Sequence, residues 1–226
     1  MDLSPLYISL KVAVIATVIT VFTGILCAYY VIKLKRIKGL IDGLFTLPMV
    51  LPPTVVGFFL LILFGRNSVI GGVLRQVNIS VVFSWTGAVI ASSIVSFPLM
   101  YRTARGAFEQ FDENLVNAAR TLGMTELKIF LRIIVPNVYP GLIAGTVLAF
   151  ARALGEFGAT IMLAGNIPGK TRTMAVAVYT AVQAGDRGQA YKWVLIICAM
   201  SFGSMILMNF WNTRQQSGKK AHEEEL

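Results

Sequence analysis

Long uncharged stretches alternate with short basic segments along most of the chain. Four runs carry no charged residue: 12–32, 43–65, 76–101 and 193–213. Each is long enough for a transmembrane helix, which needs about 20 predominantly apolar residues. A fifth run begins near Pro136 and continues to about Leu163, interrupted by Arg152 and Glu156. The apolar stretch from Thr173 to Gly185 is too short to span, which predicts a re-entrant or surface helix. The pattern predicts an all-α fold, a polytopic transmembrane helical bundle of about five spans near 8–32, 43–65, 79–101, 137–163 and 193–213. These form one membrane domain over 1–213, followed by a polar tail at 214–226.

Composition agrees. Of the 226 residues, 56% are hydrophobic and 14% charged, with a mean hydropathy of +0.71. Soluble domains average about 25% charged residues, so the bilayer must solvate much of this chain. The net charge of +9 lies between the apolar runs rather than on a basic, aromatic-interleaved face. It fits the Lys and Arg excess of cytoplasmic loops and gives no reason to expect nucleic acid as a partner. Cys27 and Cys198 fall inside apolar runs, so no disulfide framework is read. His222, the only histidine, lies in the tail and leaves no His-based metal site. The N-terminus shows neither a basic leader nor a small-residue cleavage site, which predicts a retained first span.

Five spans put the termini on opposite sides. Loop 33–42 carries Lys33, Lys35, Arg36 and Lys38. Loop 102–136 carries Arg102, Arg105, Arg120, Lys128 and Arg132, and the tail Arg214, Lys219 and Lys220. The other face carries Arg66, Arg75, Lys170, Arg172, Arg187 and Lys192, half as many. The first set is therefore placed in the cytoplasm, with the N-terminus outside and the C-terminus inside.

The loop 107–136 is the most informative segment. Phe111, Leu115, Ala118, Ala119 and Leu122 share one helical face. Asp112 or Glu113 suits the first turn, Gly123 the left-handed residue that ends the helix, and Thr125 the cap of a second helix. In that second helix Leu127, Phe130, Leu131 and Ile134 share a face, and Pro136 suits the start of span four. A helix, a glycine turn and a helix can serve as a DNA-binding helix-turn-helix, as an amphipathic loop on the lipid surface, or as a knob that docks into a partner's groove.

Ala164 to Thr171 reads Ala-Gly-Asn-Ile-Pro-Gly-Lys-Thr, loosely like a phosphate loop. That motif needs a strand before it and a helix after it. Here a transmembrane span precedes it, on the face away from cytoplasmic ATP, so ATP binding is rejected. The segment suits an ordered turn near an anion or an ordinary external loop.

Candidate pathway residues lie in two spans. Pro48, Pro52, Pro53 and Gly57 interrupt span two, and each proline frees a carbonyl one turn back. Such breaks survive in a membrane where protein or a water-filled cavity covers them. The region is a plain kink or a pathway wall, with Pro52, Pro53 and Thr54 as candidates. Ser92 and Ser96, one turn apart in span three, serve as helix glue or line the pathway. In span four Gly141, Gly145, Ala149 and Ala153 recur every fourth residue, a spacing that admits a close neighbour, either a second copy or another span of this chain. Arg152 and Glu156 stand at i and i+4 and are read as an ion pair. Gly155 and Gly158 flank Glu156.

A specific resemblance joins these features. Asn117-Ala118-Ala119, three residues, Gly123, nine residues and Ile133-Ile134-Val135-Pro136 resemble the EAA loop of ABC-importer permeases. Asn117 stands where that family has Glu, and Val135 where it has Leu. The resemblance implies a cytoplasmic coupling helix over 112–124, with Asn117, Ala118, Ala119, Arg120, Thr121, Gly123 and Pro136 in the loop that docks on an ATPase subunit. Residues 47–57, 96–100, 148–160 and 166–173 are similar to the molybdate permeases of bacterial ABC importers. Sulfate permeases share two of these segments but are usually longer, with an additional span.

The resemblance implies a non-enzymatic translocation subunit in the bacterial cytoplasmic membrane. It implies a second permease copy, two cytoplasmic ABC ATPases, an extracytoplasmic oxyanion-binding protein and surrounding lipid. It implies no cofactor in this chain, ATP-Mg belonging to the partner ATPase. Tungstate or sulfate are the alternative cargoes. An ATP-independent channel or secondary transporter would carry inverted repeats or a row of charges, and no internal repeat is visible.

Overall fold

A computed structural model describes residues 2–223, with side chains through Ile206. The polar tail expected at 214–226, with His222, lies outside the residues whose side chains are described. The helices are α1 (Ser4–Val31), α2 (Lys38–Val50), α3 (Pro53–Phe64), α4 (Val69–Gln76), α5 (Trp85–Glu109), α6 (Glu113–Thr121) and α7 (Glu126–Ile129). A π turn (Phe130–Ile134) then leads into α8 (Val135–Leu154), followed by α9 (Gly158–Leu163), α10 (Met174–Gln183) and α11 (Arg187–Glu223). Among the described residues there is no strand.

The bundle is organised around α5, which packs against α1, α8, α2 and α9. Small residues make this possible. A Cβ on Gly24 of α1 would stand 2.8 Å from Met100 Cγ, and one on Gly141 of α8 would stand 2.6 Å from Ala107 Cβ. A Cβ on Gly145 would meet Met100 Sδ at 2.9 Å and Thr103 Cβ at 3.1 Å. Gly141 and Gly145 of the span-four stripe thus pack on α5 of the same chain, whereas Ala153 clusters with Ala13 and Ala16 of α1. Ala88, Ala91, Ser92, Ser96, Met100, Tyr101 and Ala104 of α5 are all buried.

Among the described residues, three helices are long and apolar enough to cross a membrane: Ser4–Val31, Glu126–Leu154 and Arg187–Ile206. The pair Lys38–Val50 and Pro53–Phe64 would make a fourth, but it bends by 110°. Of the about five spans expected from sequence, three are therefore clear and the bent pair supplies at most a fourth. Span 43–65 is broken, and span 137–163 stops at Leu154, with α9 standing apart. Helix α5, expected as span 79–101, is long enough at 25 residues but is not among the clear spans. Its Ser92, Ser93 and Ser96 lower its hydropathy and are buried against neighbouring helices. The stretch 173–185 is the short helix α10. It buries Met174, Val176, Ala177 and Ala181, and the Met174 N–H donates to Ser9 Oγ at 2.8 Å.

Candidate functional site

Two places depart from plain helix packing: the projecting pair α6–α7 and a pair of facing breaks. At the first, Asp112 caps α6, its Oδ1 accepting from the Asn114 N–H at 2.9 Å. The helix ends at Gly123 with φ +74°. The N–H of Gly123 returns to Arg120 O at 2.9 Å and that of Met124 to Ala119 O at 3.1 Å, a Schellman closure that only a left-handed residue allows at low cost. Arg120 Nε then lies 2.7 Å from Glu126 Oε1 and fastens the turn. This partner raises the Arg120 pKa. Asn117 Oδ1 accepts from Arg120 Nη1 at 3.4 Å, and Thr121 Oγ1 donates to Asn117 O at 3.0 Å. Thr125 occupies the cap of α7 without a side-chain cap bond, unlike the capping expected.

The exposed face of α6 is the informative one. Of the apolar face expected to share one role, only Ala119 is buried, with Val116 and Met124 packing beside it. Leu115 is 46% exposed and Leu122 81%, and Ala118 is exposed between them. Periodicity detects an apolar stripe but not what covers it. In the second helix Ile129 and Ile134 are buried while Leu127 and Leu131 are exposed. The π turn shifts the register, with the Val135 N–H reaching five residues back to Phe130 O. Pro136, lacking an N–H, follows immediately in the first turn of α8. Between α6 and the ends of α1 and α5 lies a cleft of about 430 Å³ lined by Tyr29, Lys33, Lys38, Glu109 and Asn117 among others.

At the second place, consecutive prolines stop a helix. Leu51 is extended (φ −70°, ψ 141°), as is Pro52 (φ −53°, ψ 134°), because a residue before proline is pushed out of the helical region. Helix α3 then leaves at 110° with Pro53 in its first turn. Its Gly57 presses on α9, where a Cβ would stand 2.7 Å from Met162 Cβ and 2.8 Å from Ala159 Cα. A Cβ on Gly158 would meet Pro53 Cβ at 3.0 Å and Thr54 N at 3.1 Å. The Pro52–Pro53 break therefore faces the Gly155–Phe157 break.

Glu156 holds the second break together. It is 2% exposed, its Oε1 accepts from the Ala159 N–H at 2.8 Å, and its Oε2 lies 2.7 Å from Arg152 Nη1. The ion pair was legible as i and i+4, but the capping of α9 was not. Gly155 leaves room for a Cβ, the nearest atom being Ala151 O at 3.7 Å.

The remaining candidates separate. Pro52 and Thr54 are exposed and Pro53 half-buried at the break. Ser92 and Ser96, expected either as glue or as pathway lining, sit in the α1–α5 seam. There Ser96 Oγ bonds Ser92 O at 2.7 Å and lies 3.2 Å from Thr20 Oγ1. In the Ala164–Thr171 loop, the N–H groups of Lys170, Thr171 and Arg172 all turn to Ile167 O at 3.0–3.1 Å, so they do not form a phosphate cradle. Sequence reasoning missed Lys11, charged inside the first span. Its Nζ lies 4.4 Å over the Trp85 ring, and a lone Lys near a span's end is the signal for such snorkelling. Among the described residues no cluster of His, Cys, Asp or Glu is placed to hold a metal, and Cys27 and Cys198 are free.

Comparisons with known proteins agree with this architecture. The chain is 42% identical over 201 residues, 88% of each chain, to the putative molybdenum transport system permease protein YvgM of Bacillus subtilis (strain 168). It is 42% identical over 217 residues to the molybdenum transport system permease protein ModB of Escherichia coli (strain K12), covering 94% of this chain and 95% of the relative. Its fold matches a solved bacterial ABC transporter involved in the import of the acidic polysaccharide alginate. There the TM-score is 0.75 at 14% identity, over 94% of this chain and 79% of the other. The family described as "binding-protein-dependent transport system inner membrane component" matches residues 20–217. This chain belongs to that family, the membrane-embedded permeases of ABC importers.

Proposed function

We propose that this chain is the permease subunit through which molybdate crosses the bacterial cytoplasmic membrane, driven by a separate ATPase. The observation that carries the reading is the uncovered apolar stripe Leu115, Ala118 and Leu122 on a helix projecting from the bundle. It coincides with the EAA spacing from Asn117 to Pro136. Apolar side chains with no partner in their own chain mark an interaction surface, and here the occupant is the groove of an ABC ATPase. Two relatives over nearly the full length are molybdenum permeases by name, which favours molybdate over tungstate or sulfate.

In this reading α5 is a fifth crossing inside the domain 1–213, shielded from lipid by its neighbours. The α6 end of the bundle, which gathers Lys33, Lys38 and Arg120 around one cleft, faces the cytoplasm. The N-terminus is then outside and the C-terminus inside. Asn117, Ala118, Ala119, Arg120, Thr121 and Gly123 form the docking loop, and Pro136 restarts the span. Pro52, Pro53 and Thr54 border the path that two copies form along their shared axis. Gly141, Gly145, Gly158 and the Arg152–Glu156 pair hold the spans beside it. ATP binding closes the ATPases and draws the docking loops together, and an external oxyanion-binding protein delivers the cargo. The energy enters as rigid-body movement of the spans.

A Gly123→Cys variant paired with cysteines along the ATPase groove tests the docking. Crosslinking in membranes and ATP-dependent molybdate uptake by reconstituted vesicles are expected. A well-expressed complex that never crosslinks, or uptake that continues with an inactivated ATPase, overturns the reading.

A further inference from the structure

Helix α2 has no buried residue, although it follows one well-packed span and precedes another. Charges fasten its first turns to the last turns of α5. Lys38 Nζ lies 2.8 Å from Glu109 Oε1. Asp42 pairs with Arg105 and accepts from Tyr101 Oη at 3.1 Å, while Arg105 Nε also reaches Glu109 Oε1 at 2.9 Å. One ring helps, with Phe45 set edge-on to Phe97 and Tyr101 at 5.4 and 5.2 Å. Closer to the break, Leu44, Leu47, Met49 and Val50 are exposed. The helix is thus tied at one end and hinged at the other, by Leu51–Pro52.

The anchors on α5 occupy its final turns, and Asp112, three residues past Glu109, caps α6. Any displacement of α6 therefore reaches Arg105 and Glu109 through a few residues of chain. Beyond the hinge, α3 is locked onto α9 by Gly57 and Gly158. We propose that Asp42 and Arg105, steadied by Tyr101, are positioning residues of a latch. The latch transmits movement of α6 to α2, which swings about Leu51–Pro52 while α3 stays fixed. Half-exposed charges suit this task, with Arg105 23% and Asp42 31% exposed on their side chains. They can part and re-form without opening a cavity, whereas an interdigitated seam cannot. The latch rests on α6 being the ATPase-docking helix.

The test uses the full complex of permease, ATPase and delivery protein in vesicles. It measures molybdate uptake, ATP hydrolysis and the Gly123→Cys crosslink in the same preparations. Asp42→Asn and Arg105→Gln should lower molybdate imported per ATP about tenfold, within the usual range of coupling between sites, with assembly and crosslink unchanged. The charge-swapped D42R/R105D should return to within about threefold of the starting ratio. Tyr101→Phe keeps the ring packing, loses one hydrogen bond, and should lower the ratio about threefold. It decides the matter if the charge variants do not assemble. An unchanged ratio in the assembled variants overturns the latch, as does a loss of uptake and hydrolysis in proportion to lost complex. A wild-type complex that fails to crosslink at Gly123 instead overturns the docking role of α6, a result separable from the latch.

Discussion

The two halves of the broken span, α2 with Lys38 and Asp42 in its first turns and the uncharged α3, are held by opposite means. Helix α3 buries Val56, Gly57 and Leu60 and lies so close to α9 that a single Cβ would strike backbone. Helix α2 buries nothing completely and leans on its neighbours through ion pairs and two half-buried apolar side chains, Ile41 and Phe45. Hydropathy reports whether a segment avoids water. It does not report whether the segment is locked or merely tethered. The difference lies in side-chain size at the contact: Gly57 against Ala159 and Met162, and Gly158 against Pro53 and Thr54, make a seam, whereas charged ends on long stems make a strap.

The comparison breaks most visibly at Gly57. A Leu there would place its Cβ 2.7 Å from Met162 Cβ and 2.8 Å from Ala159 Cα, and the second of these is backbone that cannot rotate away. Overpacking of this kind costs about 3 kcal/mol. Thermal unfolding of the purified complex should show a lower midpoint and a lower yield of assembled permease. An unchanged midpoint would mean that α3 is as loosely held as α2. Glu156 tests the same seam from the other side. Glu156→Ala removes the acceptor for the Ala159 N–H and the partner of Arg152, a loss of about 2 kcal/mol. Glu156→Gln keeps an acceptor at the start of α9 and should lose only about 1 kcal/mol. Both loosen the support of α3 and leave the Asp42–Arg105 pair untouched, so uptake should fall with stability rather than with coupling.

Much of this was legible in advance for physical reasons. Runs of uncharged residues locate membrane helices because the cost of burying charge is large. Gly123 announces the end of α6 because so few residues suit a left-handed turn, while its start was read only as an acidic first turn at Asp112 or Glu113. Three features were hidden. The uncharged run of α5 was plain, but its burial among other helices, where Ser93 and Ser96 bond to their own backbone, shows only once neighbours are placed. The 110° bend depends on the consecutive prolines acting together, and sequence offered a kink as readily as a break. At the projecting loop, an apolar stripe on α6 was plain, but the division between Val116 and Ala119 facing inward and Leu115 and Leu122 facing outward follows from where α6 sits on α7 and the π turn.

The smallest expected effect isolates the tether itself. Gly43 lies in α2 with nothing within 4 Å of the position a Cβ would occupy. Glycine inside a helix costs roughly 0.5–1 kcal/mol relative to alanine because it has more backbone freedom to lose. Gly43→Ala should therefore raise the unfolding midpoint slightly, opposite in sign to any enlargement of Gly57 one half-span away. The same substitution stiffens α2 without touching Lys38, Asp42 or Arg105, so molybdate imported per ATP should be unchanged or higher. A fall in stability would mean that another chain of the assembled transporter presses on α2 as closely as α9 presses on α3, making α2 part of a seam and removing the asymmetry between the halves.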